Sequence, residues 1–197
     1  MSRISWNPGA LLFPAPPALV SLGTMERANV FTVAWTGIVN TNPPLTYISV
    51  RPERHSYSIL KETGEFVLNL TTTPLIRAAD FCGVRSGAKL DKWEAMGLHK
   101  EPVPHLACPA VAESPFCLEC KVRQVLPMGT HDMFLSEIVG VQVDESILDE
   151  KGQLRLDWAK MAAFAHGGYY EVGKRLATFG FSVRRVKPAN KPRRKRP

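Results

Sequence analysis

The sequence lacks an apolar run long enough to cross a membrane, and it has few cysteines. A membrane-spanning helix needs about 18–20 consecutive apolar residues, and the most apolar stretch, residues 9–20, is interrupted by Pro14, Pro16 and Pro17. Only Arg3 precedes that stretch and no convincing cleavage site follows it, so no signal peptide is expected. The four cysteines are too few and too scattered for a disulfide framework in 197 residues. A reducing, cytoplasmic setting is the default expectation.

The common motifs of nucleotide-binding and hydrolytic enzymes are missing as well. The chain contains no GxGxxG after a strand, no GxxxxGK[ST] and no GxSxG nucleophile elbow. The histidines lack the HxxxH or HExxH spacing of a zinc enzyme. Cys117 and Cys120 form a lone CxxC pair whose sulfur atoms would face opposite sides of a strand, so two small core residues are expected there. No metal site is predicted.

The positive charge of the chain is concentrated at one end. The formal net charge is +7, from 25 basic and 18 acidic residues. Residues 184–197 hold eight of those basic residues and no acidic one, so the remaining 183 residues carry a net charge near −1. This proline-containing tail is either an arm for nucleic acid or another anionic surface, or a solvated extension without a dedicated partner. The second interpretation is favoured, because the tail has no aromatic residue for base stacking.

The remaining 183 residues are expected to form one β-rich α+β domain. Composition is that of a globular protein, with 45% hydrophobic and 22% charged residues. Alternating and β-branched patterns predict strands at residues 18–23, 28–39, 45–50, 65–70, 116–123 and 133–143. Helical patterns and cap residues predict helices at residues 56–63, 74–81, 90–96 and 157–165, with a loop at 167–170. An antiparallel barrel is a plausible arrangement because it removes exposed sheet edges.

Two short segments carry the chemistry that suits a phosphate-bearing ligand. In the first, Arg51 stands at the end of a predicted strand, and Ser56 stands where a helix is expected to begin as its N-cap. A helix N-terminus attracts anions, and arginine can hold a phosphate through two parallel hydrogen bonds. In the second, Ser86 and Gly87 are followed by Lys92. Each basic residue alone is more simply a surface charge, so the combination is what points to a ligand.

The order of several short sequence motifs resembles that of the flavin reductase-like family, the flavoredoxin group of FMN-binding split barrels. The motifs are NVFTVAW at 29–35, PPLTYISVRP at 43–52, RHSY at 54–57, GEFVLN at 64–69, DFCG at 80–83, SG at 86–87, DK at 91–92 and GTHDMF at 129–134. Each motif alone is weak evidence for the resemblance, and the evidence lies in their shared order along the chain. The resemblance runs from about residue 11 to residue 181 and does not include the basic tail.

This resemblance implies a six-stranded antiparallel Greek-key split barrel with added helices, in a homodimer that binds FMN beside the subunit interface. The FMN-binding domain would be residues 1–183, and residues 184–197 would be a separate basic tail. Residues 29–36 would contact the isoalloxazine ring, residues 49–57 the phosphate, and residues 86–92 would close over it. The implied cofactor-binding residues are Asn29, Thr32, Ala34, Trp35, Thr36, Ser49, Val50, Arg51, His55, Ser56, Tyr57, Ser86, Gly87 and Lys92. His131 would lie near the open face of the flavin.

The implied activity is transfer of reducing equivalents from NADH or NADPH through FMN to an acceptor, which could be free flavin, a metal complex or a redox protein. A flavoredoxin-like electron carrier reduced by a protein partner is the alternative, and a nucleic-acid-associated protein ranks third. His131 is either a positioning or proton-relaying group, or a histidine at a strand start held by neighbouring backbone. Cys82 is either a redox thiol or a small buried residue near a helix end.

Overall fold

The computed structural model describes residues 1–183, and the predicted basic tail at residues 184–197 lies outside the described residues. Eleven strands and three α-helices occur in this part of the chain. The strands are β1 (Ala18–Leu22), β2 (Asn29–Val33), β3 (Thr36–Thr41), β4 (Pro44–Val50), β5 (Glu65–Leu70), β6 (Lys100–Glu101), β7 (Ala110–Val111), β8 (Phe116–Pro127), β9 (Asp132–Val143), β10 (Ala162–Ala165) and β11 (Gly168–Glu171). The helices are α1 (His55–Thr63), α2 (Ile76–Val84) and α3 (Lys92–Met96).

Seven strands form one antiparallel sheet in the order β2-β1-β5-β8-β9-β4-β3. Laid flat, this sheet would separate its edge strands β2 and β3 by about 29 Å, because neighbouring strands lie about 4.8 Å apart. Only two residues join β2 to β3, so their ends lie within about 11 Å of each other. The sheet therefore curls until its two edges meet. The expected mainly β, antiparallel split-barrel fold is confirmed.

The barrel contains one strand more than expected, because the segment predicted as a single strand at residues 28–39 is two strands. The break falls at Ala34 and Trp35. The Trp35 carbonyl accepts a 3.0 Å hydrogen bond from the amide of Ser49, at the end of β4. Side-chain alternation continues through the break, so the sequence pattern does not reveal it.

The helix predicted at residues 157–165 and the loop predicted at 167–170 are both wrong. The structure has a turn at residues 157–160, followed by the antiparallel pair β10 and β11. Phe164 exchanges backbone hydrogen bonds of 2.8 and 2.9 Å with Ala15, and these long-range contacts replace local helical ones. His166 and Gly167 both have positive φ, which suits the two-residue turn of a hairpin.

The three remaining helix predictions are confirmed in kind, with shifted ends. Helix α1 begins one residue earlier than predicted, so Ser56 lies inside the helix and is not its N-cap; the N-cap is Arg54, which makes no side-chain capping bond. Helix α2 continues through Gly83 to Val84. Asp91 caps α3 by accepting a 2.8 Å hydrogen bond from the amide of Trp93.

Two apolar clusters position these helices against the barrel. The barrel interior is filled mainly by side chains of β1, β2, β4, β5 and β9, including Phe66 and Phe134. A second cluster packs α2 and α3 against the outer face of β1 and β2. Cys117 and Cys120 belong to different clusters and are both free thiols, which confirms that they are core residues facing opposite sides.

Residues 1–183 contain neither a candidate metal site nor a helix that could span a membrane. No group of three or more His, Cys, Asp or Glu side chains in this part of the chain is placed to hold a metal ion. None of its helices combines the length and the apolar character needed to span a membrane.

Candidate cofactor site

A shallow cavity of about 130 Å³ lies where the barrel is split. It is formed by the end of β2 and the break after it, the end of β4 and the loop before α1, and the residue preceding β9. The predicted site residues that line it are Thr32, Ala34, Trp35, Ser49, Val50, Arg51 and His131. These residues come from three separate segments of the sequence, so the fold brings them together.

The indole ring of Trp35 and the imidazole ring of His131 form one wall of this cavity. Their centroids lie 4.5 Å apart with the planes tilted by 41°. The Nδ1 atom of His131 is 3.0 Å from the Thr130 hydroxyl, which leaves Nε2 as the atom available to a ligand. Partial burial and the nearby positive charge of Arg51 lower the pKa of His131. Both effects favour the neutral form of the ring.

The hydroxyls of Thr32 and Thr36, two residues of the segment expected to contact the flavin ring, donate to protein carbonyls. The hydroxyl of Thr32 donates a 2.5 Å hydrogen bond to the Ala79 carbonyl in α2. The hydroxyl of Thr36 donates a 2.5 Å hydrogen bond to the Tyr47 carbonyl in β4. Each side chain thus fastens an edge strand to its neighbour and retains only acceptor capacity for a ligand. Thr36 does not line either of the cavities around the site.

A second cavity, of about 560 Å³, brings together Asn29, His55, Gly87 and Lys92. Asn29 donates a 2.9 Å hydrogen bond from Nδ2 to the buried hydroxyl of Ser56. A Cβ atom added to Gly87 would lie only 2.1 Å from Asn29 Oδ1. The loop after α2 therefore packs its backbone directly on the Asn29 side chain, which only glycine permits.

Lys92 is a buried amine that lines the same cavity, with 3% of the residue exposed. Its Nζ atom donates a 3.3 Å hydrogen bond to the Cys82 carbonyl at the end of α2. Burial lowers the pKa of Lys92 to about 8, and the positive charge of Arg54 adds to this effect. A buried ammonium group with one neutral partner is suited to an anionic ligand, which would stabilise its charged form.

Two arginines flank the start of α1 between the two cavities. Arg51 is exposed, and its guanidinium has no hydrogen-bond or ion-pair partner among residues 1–183. Arg54 donates a 2.7 Å hydrogen bond from Nη1 to the Gly83 carbonyl. Because no side chain caps α1, its first amide groups are available to an anion. Arg54 was missing from the predicted site residues, although it is the first residue of the RHSY motif at residues 54–57.

The remaining predicted residues support the site without lining either cavity. The Tyr57 hydroxyl donates a 2.5 Å hydrogen bond to Asp132, which raises the pKa of Tyr57 and ties α1 to the start of β9. The Ser86 hydroxyl accepts a 3.3 Å hydrogen bond from the Ala88 amide within its own loop. Cys82 is buried and its pKa is raised to about 11 by that burial, which favours the small buried residue over a redox thiol.

Chemically, this residue set fits a ligand with a ring at one end and a phosphate at the other. The ring end offers an indole wall, a neutral imidazole and backbone amides of the β2–β3 break. The phosphate end offers Lys92, Arg51, Arg54 and the uncapped start of α1. Positive groups of this number and placement match a phosphate monoester.

Comparison with known proteins agrees with this chemistry. The family model described as the flavin reductase-like domain matches residues 10–173. The chain belongs to the flavin reductase-like family. This family membership covers all the strands and helices named above.

Three similar proteins illustrate the range of this flavin reductase-like family. Flavoredoxin of Desulfovibrio vulgaris (Miyazaki F) is 30% identical, with a TM-score of 0.86, over 93% of this chain and 100% of that one. An FMN-binding protein from Thermus thermophilus, solved with 1-cyclohex-2-enone, shares the fold at 24% identity and a TM-score of 0.71, over 87% of this chain and 95% of that one. A protein of Archaeoglobus fulgidus is 29% identical over 78% of this chain and 86% of its own length.

Proposed function

We propose that this protein binds FMN and transfers reducing equivalents from NADH or NADPH through it to an acceptor. The observation that carries the proposal is the meeting of two cavities at the start of α1. Arg54 lines the cavity walled by Trp35 and His131, and the next residue, His55, lines the cavity that contains buried Lys92. Membership of the flavin reductase-like family supports the same conclusion. When bound, FMN supplies hydride and electron transfer, for which no protein nucleophile is needed.

The phosphate of FMN is assigned to the positive end of the site. Lys92 and Arg51 supply charged donors, and the start of α1 at His55 and Ser56 supplies backbone amides. Asn29 and Gly87 hold the loop and the helix start at a fixed separation. The ring is assigned to the split of the barrel, against Ala34, Trp35 and the backbone that flanks them.

His131 is assigned to the ring end as a group that positions the nicotinamide or holds a proton at Nε2. Its lowered pKa favours the neutral ring, which carries one proton. Nε2 donates a hydrogen bond when Thr130 donates to Nδ1, and it accepts one when Nδ1 donates to Thr130. The stacking of His131 on Trp35 restricts the orientation of both rings. Neither role requires His131 for binding of the phosphate end.

The second candidate is a flavoredoxin-like electron carrier that is reduced by a protein partner and has no nicotinamide site of its own. The similarity to the flavoredoxin of Desulfovibrio vulgaris (Miyazaki F) over 93% of this chain favours this alternative. Both candidates use the same flavin site. They differ only in whether a nicotinamide reduces the protein directly.

A homodimer is part of the proposal. The ring cavity of about 130 Å³ is smaller than the roughly 300–1,000 Å³ of pockets that enclose a ligand, so one chain covers only part of a flavin. Large apolar side chains are exposed in both terminal segments, including Trp6, Leu12, Leu176 and Phe179. Light scattering of the flavin-loaded protein tests for a mass near twice 21.9 kDa.

All the assigned residues lie within residues 1–183, which supports one flavin-binding domain followed by the basic tail at 184–197. Truncation after Val183 tests this boundary, because flavin content should be unchanged. The four free cysteines suit a reducing compartment, and the cytoplasm is the proposed location.

An absorbance spectrum followed by an anaerobic titration tests the function. The purified protein should be yellow or should take up added FMN in equal molar amount. Anaerobic NADH or NADPH should then bleach the flavin absorbance within seconds to minutes. Bleaching by dithionite but by neither nicotinamide would support the electron carrier, and failure to bind FMN would contradict both candidates.

A further inference from the structure

A third cavity, of about 660 Å³, lies beside the first half of α2 and is larger than either cavity assigned to the flavin. It is surrounded by the start of α2, the end of α3, the loop between β7 and β8, the 3₁₀ turn Glu145–Ile147 and the turn at residues 157–160. Within residues 1–183, no residue that lines this cavity also lines a cavity assigned to the flavin. The third cavity is therefore a separate feature of the fold.

Most residues that line this third cavity are apolar, including Leu75, Met96 and Ile147. The indole of Trp158 lines it too, and Trp158 is 48% exposed. The guanidinium of Arg155 stacks on this indole, 4.4 Å from the ring centroid, but Arg155 does not line the cavity. The indole thus retains surface for a second planar group. Apolar and aromatic walls with few polar groups, in a volume of about 300–1,000 Å³, are typical of small-molecule sites.

The charged residues of the third cavity show which charge a ligand would carry. Both carboxylates already have partners, since Glu113 accepts hydrogen bonds from His99 and Asp144 accepts one from a backbone amide. The side chains of Arg77 and Lys160 have no hydrogen-bond or ion-pair partner among residues 1–183. The unmatched charges are both positive, so an anionic group is favoured.

These two cations are held near each other by the backbone at the start of α2. The carbonyl of Lys160 accepts a 2.9 Å hydrogen bond from the amide of Thr73, and Arg77 follows Thr73 by about one helical turn. Lys160 has a φ of 50°, which is uncommon for a residue other than glycine. Residues held in such conformations are concentrated at functional sites.

We infer that the third cavity is a second ligand site and that it binds an aromatic carboxylate. The carboxylate contacts Arg77 and Lys160, and the ring lies against Trp158 and the apolar wall. This inference goes beyond the proposed function and does not rest on it, because the two sites share no lining residue.

Calorimetric titration of the FMN-loaded, full-length protein with 2-naphthoate tests the site. Bound FMN fills the cavities assigned to it, so the titration measures binding elsewhere. We expect one site per chain with a Kd below about 1 mM. The amide 2-naphthamide has the same ring system without the charge, and it should bind at least about tenfold more weakly because it cannot form charge-assisted hydrogen bonds.

Two pairs of variants locate the binding. Arg77→Gln should weaken 2-naphthoate binding about tenfold, whereas Arg85→Gln, an exposed residue just after α2 that does not line the cavity, should change it less than twofold. Ala95→Trp fills the cavity from an exposed position and should weaken binding about tenfold or more. Glu94→Trp places the same ring on the adjacent exposed residue, which does not line the cavity, and should leave the Kd unchanged.

The outcomes separate this inference from the proposed function. Absence of 2-naphthoate binding to the FMN-loaded protein, or binding only when FMN is removed, would overturn the inference and leave the proposed function intact. Equal affinity for 2-naphthamide would overturn the carboxylate assignment, and equal losses within either pair of variants would overturn the location. If the protein takes up no FMN, the proposed function fails, and the same two pairs titrated without FMN still decide this inference.

Discussion

The side-chain amide of Asn29 donates a 2.9 Å hydrogen bond to the hydroxyl of Ser56, which ties the first residue of β2 to the first turn of α1. The carbonyl oxygen of the same amide lies against the backbone of Gly87. One side chain thus sets the spacing of the helix start and the loop that are assigned to the phosphate. We expect this amide to act on the ligand through these two partners.

Replacing either partner of this contact should weaken FMN binding through the phosphate. Asn29→Ala leaves the buried Ser56 hydroxyl without its donor, and Gly87→Ala forces a Cβ atom to within 2.1 Å of Asn29 Oδ1 unless the loop moves. We expect each variant to lower FMN affinity about tenfold, since an unsatisfied buried polar group costs about 1–3 kcal/mol. Riboflavin, which lacks the phosphate, should bind with nearly unchanged affinity.

Gly173→Ala is the matched control, because a Cβ atom there meets nothing within 4 Å. Calorimetry with FMN and riboflavin gives the ratio of the two affinities for each variant. If riboflavin affinity falls as far as FMN affinity in Asn29→Ala, Asn29 contacts the ring directly, as the family resemblance implies, and the positioning role is wrong.

Arg51→Ala should weaken FMN binding about ten- to a hundredfold, because a charge-assisted hydrogen bond to phosphate contributes about 1.5–3 kcal/mol. Arg51 lines the ring cavity beside the start of α1 and has no partner among residues 1–183. Arg123→Ala is the control, since Arg123 pairs with Glu137 across two strands and lies away from both cavities. Equal Kd values for the two variants, measured by calorimetry, would place the phosphate elsewhere.

The buried amine of Lys92 predicts a pH dependence for FMN affinity. Its pKa of about 8 in the free protein means that the amine loses its charge as the pH rises through 8, so FMN affinity should fall between pH 8 and 9. The decrease should not exceed about tenfold per pH unit, because one proton is taken up on binding. Below pH 8 the charged form already dominates, and affinity should be flat from pH 7 to 7.5.

Lys92→Met provides the reference for this profile. The variant should bind FMN more weakly at pH 7 and show no decline between pH 8 and 9. The same titrations in two buffers of different ionisation enthalpy report proton uptake directly. A wild-type profile identical to that of Lys92→Met would show that Lys92 does not face the phosphate.

The fold was largely predictable from the sequence, and the errors in its prediction have physical causes. The strands of the barrel and helices α1 to α3 follow from alternation, caps and glycine stops, such as Gly64 after α1 and Gly97 after α3. The hairpin β10–β11 could not be predicted, because residues 162–165 are alanines and a phenylalanine whose strand pairing depends on Ala15 and Thr71, far away in the chain. Local preference favours a helix there, and tertiary contacts override it.

The segments that line the two cavities were predictable from the sequence, and the roles of their residues stay predictions. Eleven of the fifteen predicted site residues line one of the two cavities, because the family motifs mark the ends of β2 and β4 and the start of β9. The other four line neither; they are Thr36, Ser56, Tyr57 and Ser86. The partners of their side chains were not predictable, because these depend on packing between distant elements. Thr32 donates to Ala79, and Lys92 to Cys82, and no local pattern relates these pairs.

The contact between Trp35 and His131 predicts a separation of binding from reduction. Their rings lie 4.5 Å apart in one cavity, whereas Lys92 and the α1 residue His55 line the other. His131→Ala should therefore leave FMN affinity within about twofold of wild type, since no charged group at the phosphate end is lost. Anaerobic reduction by NADH, followed by stopped-flow absorbance, should slow by about tenfold to a hundredfold if Nε2 positions the nicotinamide or exchanges a proton.

His131→Gln keeps a polar side chain and should recover part of the rate of reduction if positioning dominates. His99→Ala is the control, because His99 is exposed and pairs with Glu113 away from the flavin site. An unchanged reduction rate in His131→Ala would leave this histidine as a structural contact of Trp35 and Thr130.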